Sequence, residues 1–143
     1  MDDTWPPEID APEVLGDDPT TAYFSLHTTD KAWVATQADG YNGGTTTNAI
    51  RTGVDGSLGF HRYGVDWGPH TITFYIDGKA VGQRTTPGDM HKPFYLIVNL
   101  AVGGTGSWPG PPNAQTVFPA TLRILGIKVW QRPAYATAIA RGL

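Results

Sequence analysis

The sequence predicts an all-β protein, and three observations support this class. The 143 residues include 18 glycines and 12 prolines, which disfavour helices and suit turns. Five Trp, six Tyr and five Phe are mixed with Thr, Val and Ile, the residue types enriched in strands. Several segments alternate apolar and polar residues with the two-residue period of a strand. We therefore expect short strands separated by turns.

Four segments after residue 58 define most of the predicted strands. Residues 59–67 (GFHRYGVDW) alternate, and residues 71–86 contain Asp77-Gly78, the dipeptide typical of a two-residue hairpin turn. Residues 93–104 (PFYLIVNLAVGG) are almost continuously apolar, as in a central strand buried on both faces. Residues 121–131 (TLRILGIKVWQ) alternate again. A hairpin and further long strands are the expected framework.

Core and loop predictions follow from the same patterns. The residues predicted to enter the core are Phe60, Tyr63, Val65, Trp67 and Trp130, given a local irregularity near His61–Arg62. The position of Trp33 is left open. Segments 36–58 and 103–120 are rich in Gly, Thr, Asn or Pro and are predicted as loops. The tail after residue 131 could form a short helix or fray.

Composition also limits the class of partner. A formal net charge of −3 without a Lys/Arg cluster argues against nucleic acid and favours neutral partners. No apolar run approaches the roughly 20 residues that a membrane helix needs, and the first residues lack the basic and apolar regions of a secretory signal. The chain has no cysteine, so disulfides and thiolate metal sites are excluded.

Residues 5–16, WPPEIDAPEVLG, form a strand-like run with three acids. Simple alternation places Glu8 and Asp10 on one face and Glu13 on the other. A β-bulge adds one residue to a strand and reverses the alternation after it, and proline in sheets occurs mainly at bulges or edges. A bulge near Ala11–Pro12 would therefore bring all three acids to one face.

The expected spacing suits glycoside chemistry. With the bulge, the Cα atoms of Glu8 and Glu13 should lie about 13 Å apart. If both side chains lean inward, their carboxyl groups should be about 5–7 Å apart, close to the separation in retaining glycosidases. One carboxylate could then attack the sugar while the other gives a proton, with Asp10 separating their proton affinities. The simpler alternative is three solvated acids on an exposed edge strand.

The run also resembles the active-site strand of glycoside hydrolase family 16, the laminarinase-like β-glucanases, with its pattern E-[ILV]-D-x-x-E. Three more segments are similar to that family: FHRYGVDWGPHTITFYIDGKAV, PFYLIVNLAVGG and TLRILGIKVWQ. The similarity covers about residues 4–131. The spacing of the acids resembles the bulged branch, with laminarinases, agarases and carrageenases, rather than the regular E-x-D-x-E branch.

The resemblance implies roles for particular residues. Glu8 would be the nucleophile, Asp10 the assisting acid and Glu13 the general acid/base. His27 occupies the place of a histidine that neighbours the acid/base on the adjacent strand, and an ordinary strand histidine is the alternative. For substrate binding, an exposed aromatic ring can cover the apolar face of a pyranose. Trp5 is the first candidate for such a platform, and Trp108 could line the cleft, although Trp5 as a simple core residue is the alternative.

The resemblance further implies a partial concanavalin-like jelly roll, a β-sandwich of curved antiparallel sheets. Residues 1–131 would be a truncated catalytic domain and residues 132–143 a C-terminal tail. Because the carboxylate strand normally lies near the middle of such a domain, we expect the preceding strands to be missing and sheet edges to be open for self-association. The aspartate that binds calcium in many members is matched by Leu125, so no metal and no cofactor are expected.

The predicted function is therefore retaining hydrolysis of a neutral β-glucan, such as a β-1,3- or mixed-linked polymer. The family resemblance suggests secretion, although no leader is recognised. Two alternatives stay open: a glycan-binding module without activity, and a fragment without an independent fold.

Overall fold

The computed structural model describes residues 4–37 and 45–133. The described residues up to Pro93, together with Pro133, form one compact unit, and Phe94–Arg132 form a second. The boundary at residue 131 between domain and tail stays a prediction.

The first unit consists of two three-stranded antiparallel sheets, so the predicted all-β class is confirmed. The first sheet has the order β1-β2-β3 and the second β4-β5-β6. The elements are β1 (Glu8–Leu15), β2 (Asp18–His27), α1 (Lys31–Val34), β3 (Thr45–Arg51), β4 (Tyr63–Trp67), β5 (Thr71–Ile76) and β6 (Lys79–Thr85). A 3-10 turn at Gly88–Met90 follows β6.

The central strands β2 and β5 supply the core of this unit. On β2 the buried apolar side chains recur at every second position, at Ala22, Phe24 and Leu26. On β5, Ile72 and Phe74 are buried with the same spacing. The rings of Phe24 and Phe74 meet with centroids 4.9 Å apart and planes tilted by 33°. The two sheets thus pack face to face as a β-sandwich.

The predicted hairpin at Asp77-Gly78 is confirmed. Asp77 has φ +50° and Gly78 has φ +81°, the left-handed pair that a two-residue hairpin turn requires. The Asp77 carboxylate also accepts the Arg62 amide at 2.8 Å and lies 2.8 Å from His61 Nδ1. These contacts secure the irregular segment that precedes β4.

The loop prediction for residues 36–58 is wrong for Thr45–Arg51, which form β3 and pair with β2 along their length. The Gly- and Asn-rich neighbours of this run suggested a loop, whereas its β-branched threonines suit a strand once β2 supplies hydrogen-bond partners. Residues 38–44 lie outside the described part of the chain.

Several core predictions are corrected. Phe60 is 58% exposed, because it precedes β4. Val65 is 42% exposed, because β4 is an edge strand. Tyr63 and Trp67 are half-buried. Trp33, left open from sequence, is buried on α1, and its Nε1 donates to Thr85 O at 2.9 Å and Thr85 Oγ1 at 2.8 Å.

The second unit, residues 94–132, contains no strand in the described structure, so the strand predictions for 93–104 and 121–131 are wrong here. Ile97 is 66% exposed and Trp130 is 80% exposed, the opposite of the predicted core positions. An apolar run forms a strand only where neighbouring strands pair with its backbone groups. The loop prediction around residue 107 holds: Ser107 Oγ donates to Gly104 O and accepts the Gly104 amide.

Among the described residues, no helix has the length and apolar character needed to span a membrane.

Replacing Phe74 with Ala should lower the free energy of unfolding by about 3–5 kcal/mol, because it opens a cavity against Phe24 in the centre of the sandwich. Phe60→Ala is the matched control, since that ring is already mostly in water and its loss should change stability by about 0.5 kcal/mol or less. Urea denaturation followed by tryptophan fluorescence measures both. Equal losses in the two variants would contradict the packing described.

Candidate active site

The predicted bulge in β1 is present. Glu8 pairs with His27 and Asp10 pairs with Ser25, but the next paired residue is Glu13, opposite Tyr23. Three steps along β1 therefore match two steps along β2, which is the one-residue excess that defines a bulge. This irregularity lies between Asp10 and Glu13, at the Ala11–Pro12 position that the sequence predicts, and a second register shift follows between Glu13 and Leu15.

The bulge decides which way the acids point. Residues opposite each other in a ladder project to the same face, and residues two apart on a regular strand share a face. Positions 27, 25 and 23 of β2 share one face, so their partners Glu8, Asp10 and Glu13 share it too. The other face of β2 carries Leu26, Phe24 and Ala22 in the core. The three acids thus line the side of the sheet that faces away from the core.

Trp5 lies beside the first of these acids. Its indole Nε1 donates to Glu8 Oε2 at 2.6 Å, and its ring lies 5.6 Å from the imidazole of His27, centroid to centroid. The side chain is 69% exposed, which removes the alternative of a simple core residue. An exposed ring held next to a carboxylate is available to a ligand.

His27 connects the acids to the third strand. Its Nε2 lies 2.9 Å from Asp10 Oδ2, and its Nδ1 lies 2.7 Å from Thr45 Oγ1. The ladder places His27 opposite Glu8, the expected nucleophile, rather than opposite Glu13. The direct partner of the imidazole is therefore Asp10, two residues from Glu8 on the same face.

The electrostatics of the cluster shift two groups in the same direction. The hydrogen bond to Asp10 raises the pKa of His27 above 6.5, and the negative charges of Asp10, Glu8 and Glu13 add to this against the opposing effect of burial. For Glu13, partial burial of the carboxyl raises its pKa above 4.5, and the charges of Asp10 and Glu8 raise it further while His27 lowers it. Both groups hold a proton more tightly than in water.

Two aspartates, Asp89 and Asp30, connect the segment that follows His27 to the 3-10 turn at Gly88–Met90. Asp89 accepts from Thr28 Oγ1 at 2.6 Å and from the Thr29 amide at 2.7 Å. Asp30 accepts the Trp33 amide at 2.9 Å, as the N-cap of α1, and the Gly88 amide at 2.8 Å. These reciprocal contacts tie the segment after β2 to the 3-10 turn and so limit the movement of His27.

Donor atoms of Glu8, Asp10 and His27 all lie within 4.8 Å of one another, a spacing that a metal ion could bridge. Direct contacts already account for it, because Trp5 donates to Glu8 and His27 lies against Asp10. We assign no ion to this cluster.

The structure brings together five of the six residues singled out from sequence: Trp5, Glu8, Asp10, Glu13 and His27. Trp108 is 55% exposed and lies in the second unit, so its role in a cleft stays a prediction. Thr45 is not among the candidates from sequence, because the sequence predicts a loop for residues 36–58. The β-branched run Thr45–Thr47 was the signal that could have revealed a strand there.

Replacing Asp10 with Asn should lower the pKa of His27, because the charge that favours the imidazolium is removed. In the unaltered chain, the raised folded-state pKa means that this contact stabilises the fold fully below about pH 6.5, and that the stabilisation is lost as pH rises through the raised value. NMR titration of the His27 ring measures the pKa directly.

The control for this titration is Asp17→Asn, which removes one negative charge from the exposed turn between β1 and β2. It should leave the pKa of His27 where it was. An unchanged His27 pKa in Asp10→Asn would show that the two side chains do not interact.

The chain is similar in sequence to one glycosyl hydrolase family and to several proteins named as glycanases or glucanases. The sequence profile of glycosyl hydrolases family 16 matches residues 1–121. An endo-1,3-1,4-beta-glycanase of Rhizobium meliloti, EglC, is 35% identical over 133 residues, which cover 93% of this chain and 26% of EglC. A second endo-1,3-1,4-beta-glycanase of that organism, ExsH, is 37% identical over 108 residues, which cover 76% of this chain and 21% of ExsH. A beta-glucanase of Rhodothermus marinus is 28% identical over 141 residues, 89% of this chain and 46% of the relative.

The chain spans about a quarter of the length of the first two relatives. The family profile nevertheless matches most of the chain, including the strand that carries the three acids. The chain belongs to glycosyl hydrolases family 16.

Proposed function

We propose that this chain is a retaining endo-β-glycosidase that hydrolyses a β-glucan by double displacement. The observation that carries the proposal is the bulge in β1, which turns Glu8, Asp10 and Glu13 to one face of the sheet. A retaining glycosidase needs two carboxyl groups on either side of one glycosidic bond. The expected separation of about 5–7 Å between the carboxyls of Glu8 and Glu13 stays a prediction.

In this proposal Glu13 is the proton donor. A general acid must still hold its proton near the working pH, and the raised pKa of the Glu13 carboxyl, caused first by its partial burial and then by the charge of Asp10, favours that state. Glu13 would give its proton to the oxygen of the leaving sugar as the bond to the anomeric carbon breaks. In the second step it would take a proton from the attacking water.

Glu8 is the proposed nucleophile. The Trp5 indole donates to Oε2 of Glu8 at 2.6 Å, which orients the carboxylate and leaves Oε1 to attack the anomeric carbon. Attack forms a covalent glycosyl ester and expels the sugar protonated by Glu13. Water activated by Glu13 then cleaves the ester, so that two inversions restore the original configuration at the anomeric carbon.

Asp10 and His27 are proposed to keep the two glutamates in different states. Asp10 lies between them on the same face, and its negative charge raises the pKa of Glu13. His27, 2.9 Å from Asp10, holds that carboxylate in place. Two carboxyl groups whose environments differ in this way suit one as acid and the other as nucleophile.

The proposed substrate is a neutral β-glucan with β-1,3 or mixed linkages. Two relatives are named endo-1,3-1,4-beta-glycanases and others are named beta-glucanases. The exposed ring of Trp5 beside Glu8 could stack on the apolar face of a glucose unit while its N–H stays bonded to the carboxylate. A net charge of −3 without a basic cluster also suits a neutral polymer.

Replacing Glu8 with Gln should reduce hydrolysis of laminarin and mixed-linked glucan by at least about a thousandfold, because an amide cannot form the glycosyl ester. Release of reducing ends measures the rate. Asp17→Asn, which removes an acid outside the site, should keep the unaltered rate. Full activity in Glu8→Gln would reject the proposal, and binding of glucan by the unaltered chain without hydrolysis would favour a glycan-binding module instead.

The stereochemistry provides an independent test. Double displacement should release the new reducing end first as the β-anomer, which then mutarotates to the equilibrium mixture. Proton NMR of the anomeric signals during the first minutes of hydrolysis distinguishes the two anomers. Initial release of the α-anomer would mean inversion, and would require a water molecule between the sugar and the second carboxylate.

A further inference from the structure

Thr45 is the last residue of a chain of side-chain hydrogen bonds that runs from Asp10 on β1 through His27 on β2 to β3. The ladder sets Glu8 opposite His27 and His27 opposite Thr45. From the imidazole, Nε2 reaches Asp10 Oδ2 at 2.9 Å and Nδ1 reaches Thr45 Oγ1 at 2.7 Å. Both ring nitrogens are therefore held, one by an acid of β1 and the other by a hydroxyl of β3.

The chemistry of the two partners assigns the protons. An ionised Asp10 can only accept, so Nε2 of His27 carries a hydrogen. In the neutral imidazole Nδ1 then has a free lone pair, to which the Thr45 hydroxyl donates. In the imidazolium Nδ1 carries a hydrogen as well, and the hydroxyl oxygen accepts it after a rotation about the C–O bond. A threonine at this position thus satisfies Nδ1 in both charge states.

The surroundings of His27 are unequal on its two sides. The carboxylates of Glu8, Asp10 and Glu13 act on it from β1, and each favours the protonated ring. The indole of Trp5 lies 5.6 Å away. On the β3 side, within the described structure, the neutral hydroxyl of Thr45 is the hydrogen-bond partner of the imidazole. Without it, Nδ1 would be left unpaired at a half-buried position, and the ring could turn away from Asp10.

We propose that Thr45 is a positioning residue for the reaction, acting through His27 to hold the Asp10 carboxylate between Glu8 and Glu13. This inference rests on the proposed glycosidase function. Thr45 is not proposed to touch the sugar or to transfer a proton to it. Its effect is the orientation of the imidazole plane, which in turn fixes one oxygen of Asp10.

The test compares three variants of the full chain. Thr45→Val keeps the shape and strand propensity of the residue but removes the hydroxyl. Thr45→Ser restores the hydroxyl on a smaller side chain. Thr47→Val is the matched control, because Thr47 lies two residues along the same strand and its hydroxyl is 3.1 Å from Ser25 Oγ rather than bonded to His27.

The first readout is the NMR titration of His27 without substrate. In Thr45→Val the pKa of His27 should fall from its raised value toward 6.5, because the imidazolium loses a charge-assisted hydrogen bond that is stronger than its neutral counterpart. Thr45→Ser should restore it, and Thr47→Val should leave it as in the unaltered chain. An unchanged pKa in Thr45→Val, or the same fall in both valine variants, overturns the proposal.

The second readout is hydrolysis of laminarin across a range of pH. Thr45→Val should lower kcat by about tenfold with KM changed less than about twofold, as expected when orientation rather than binding is lost. Thr45→Ser should recover most of kcat. Unaltered kcat in Thr45→Val overturns the positioning role. Absence of hydrolysis in the unaltered chain refutes the glycosidase proposal instead, and the NMR titration still decides whether Thr45 holds His27.

Discussion

The extra residue of β1 between Asp10 and Glu13 is the constraint on which the candidate site depends. In a regular ladder, Glu13 would point into the same side as Phe24 and Leu26, which are buried in the sandwich. A carboxylate there would lose its hydration without a partner, at a cost of several kcal/mol. The bulge avoids this burial and brings the three acids to a common face.

The positions of the site residues depend on β2, the strand that pairs with β1. β2 is the central strand of its sheet, with Ala22, Phe24 and Leu26 packed in the core on one face and His27 presented on the other. The same strand therefore connects the stability of the sandwich to the position of the imidazole. Asp89, which accepts from Thr28 and Thr29 directly after β2, adds a second anchor from a segment about sixty residues away.

Charge is concentrated on one side of the imidazole. The charges of three carboxylates on β1 contribute to the raised pKa of His27. Glu13, at the end of the cluster, also has a raised pKa. Titratable groups with shifted pKa values, held close together on one face, are common at functional sites. The indole of Trp5 adds an apolar surface directly beside Glu8.

The features that depend on neighbouring residues could be predicted from the sequence alone. The Asp77-Gly78 turn followed from the positive φ angles that this dipeptide tolerates, and the bulge followed from the spacing of the acids around Pro12, since both are local properties of the backbone. The contacts that cross strands could not be predicted in this way and are known from the folded chain. Folding placed His27 against Asp10 and Thr45, and it made a strand of Thr45–Arg51, because hydrogen bonds in a sheet come from residues remote in sequence. Residues 94–132 contain apolar runs but no strand, because an apolar run forms a strand only when neighbouring strands pair with its backbone.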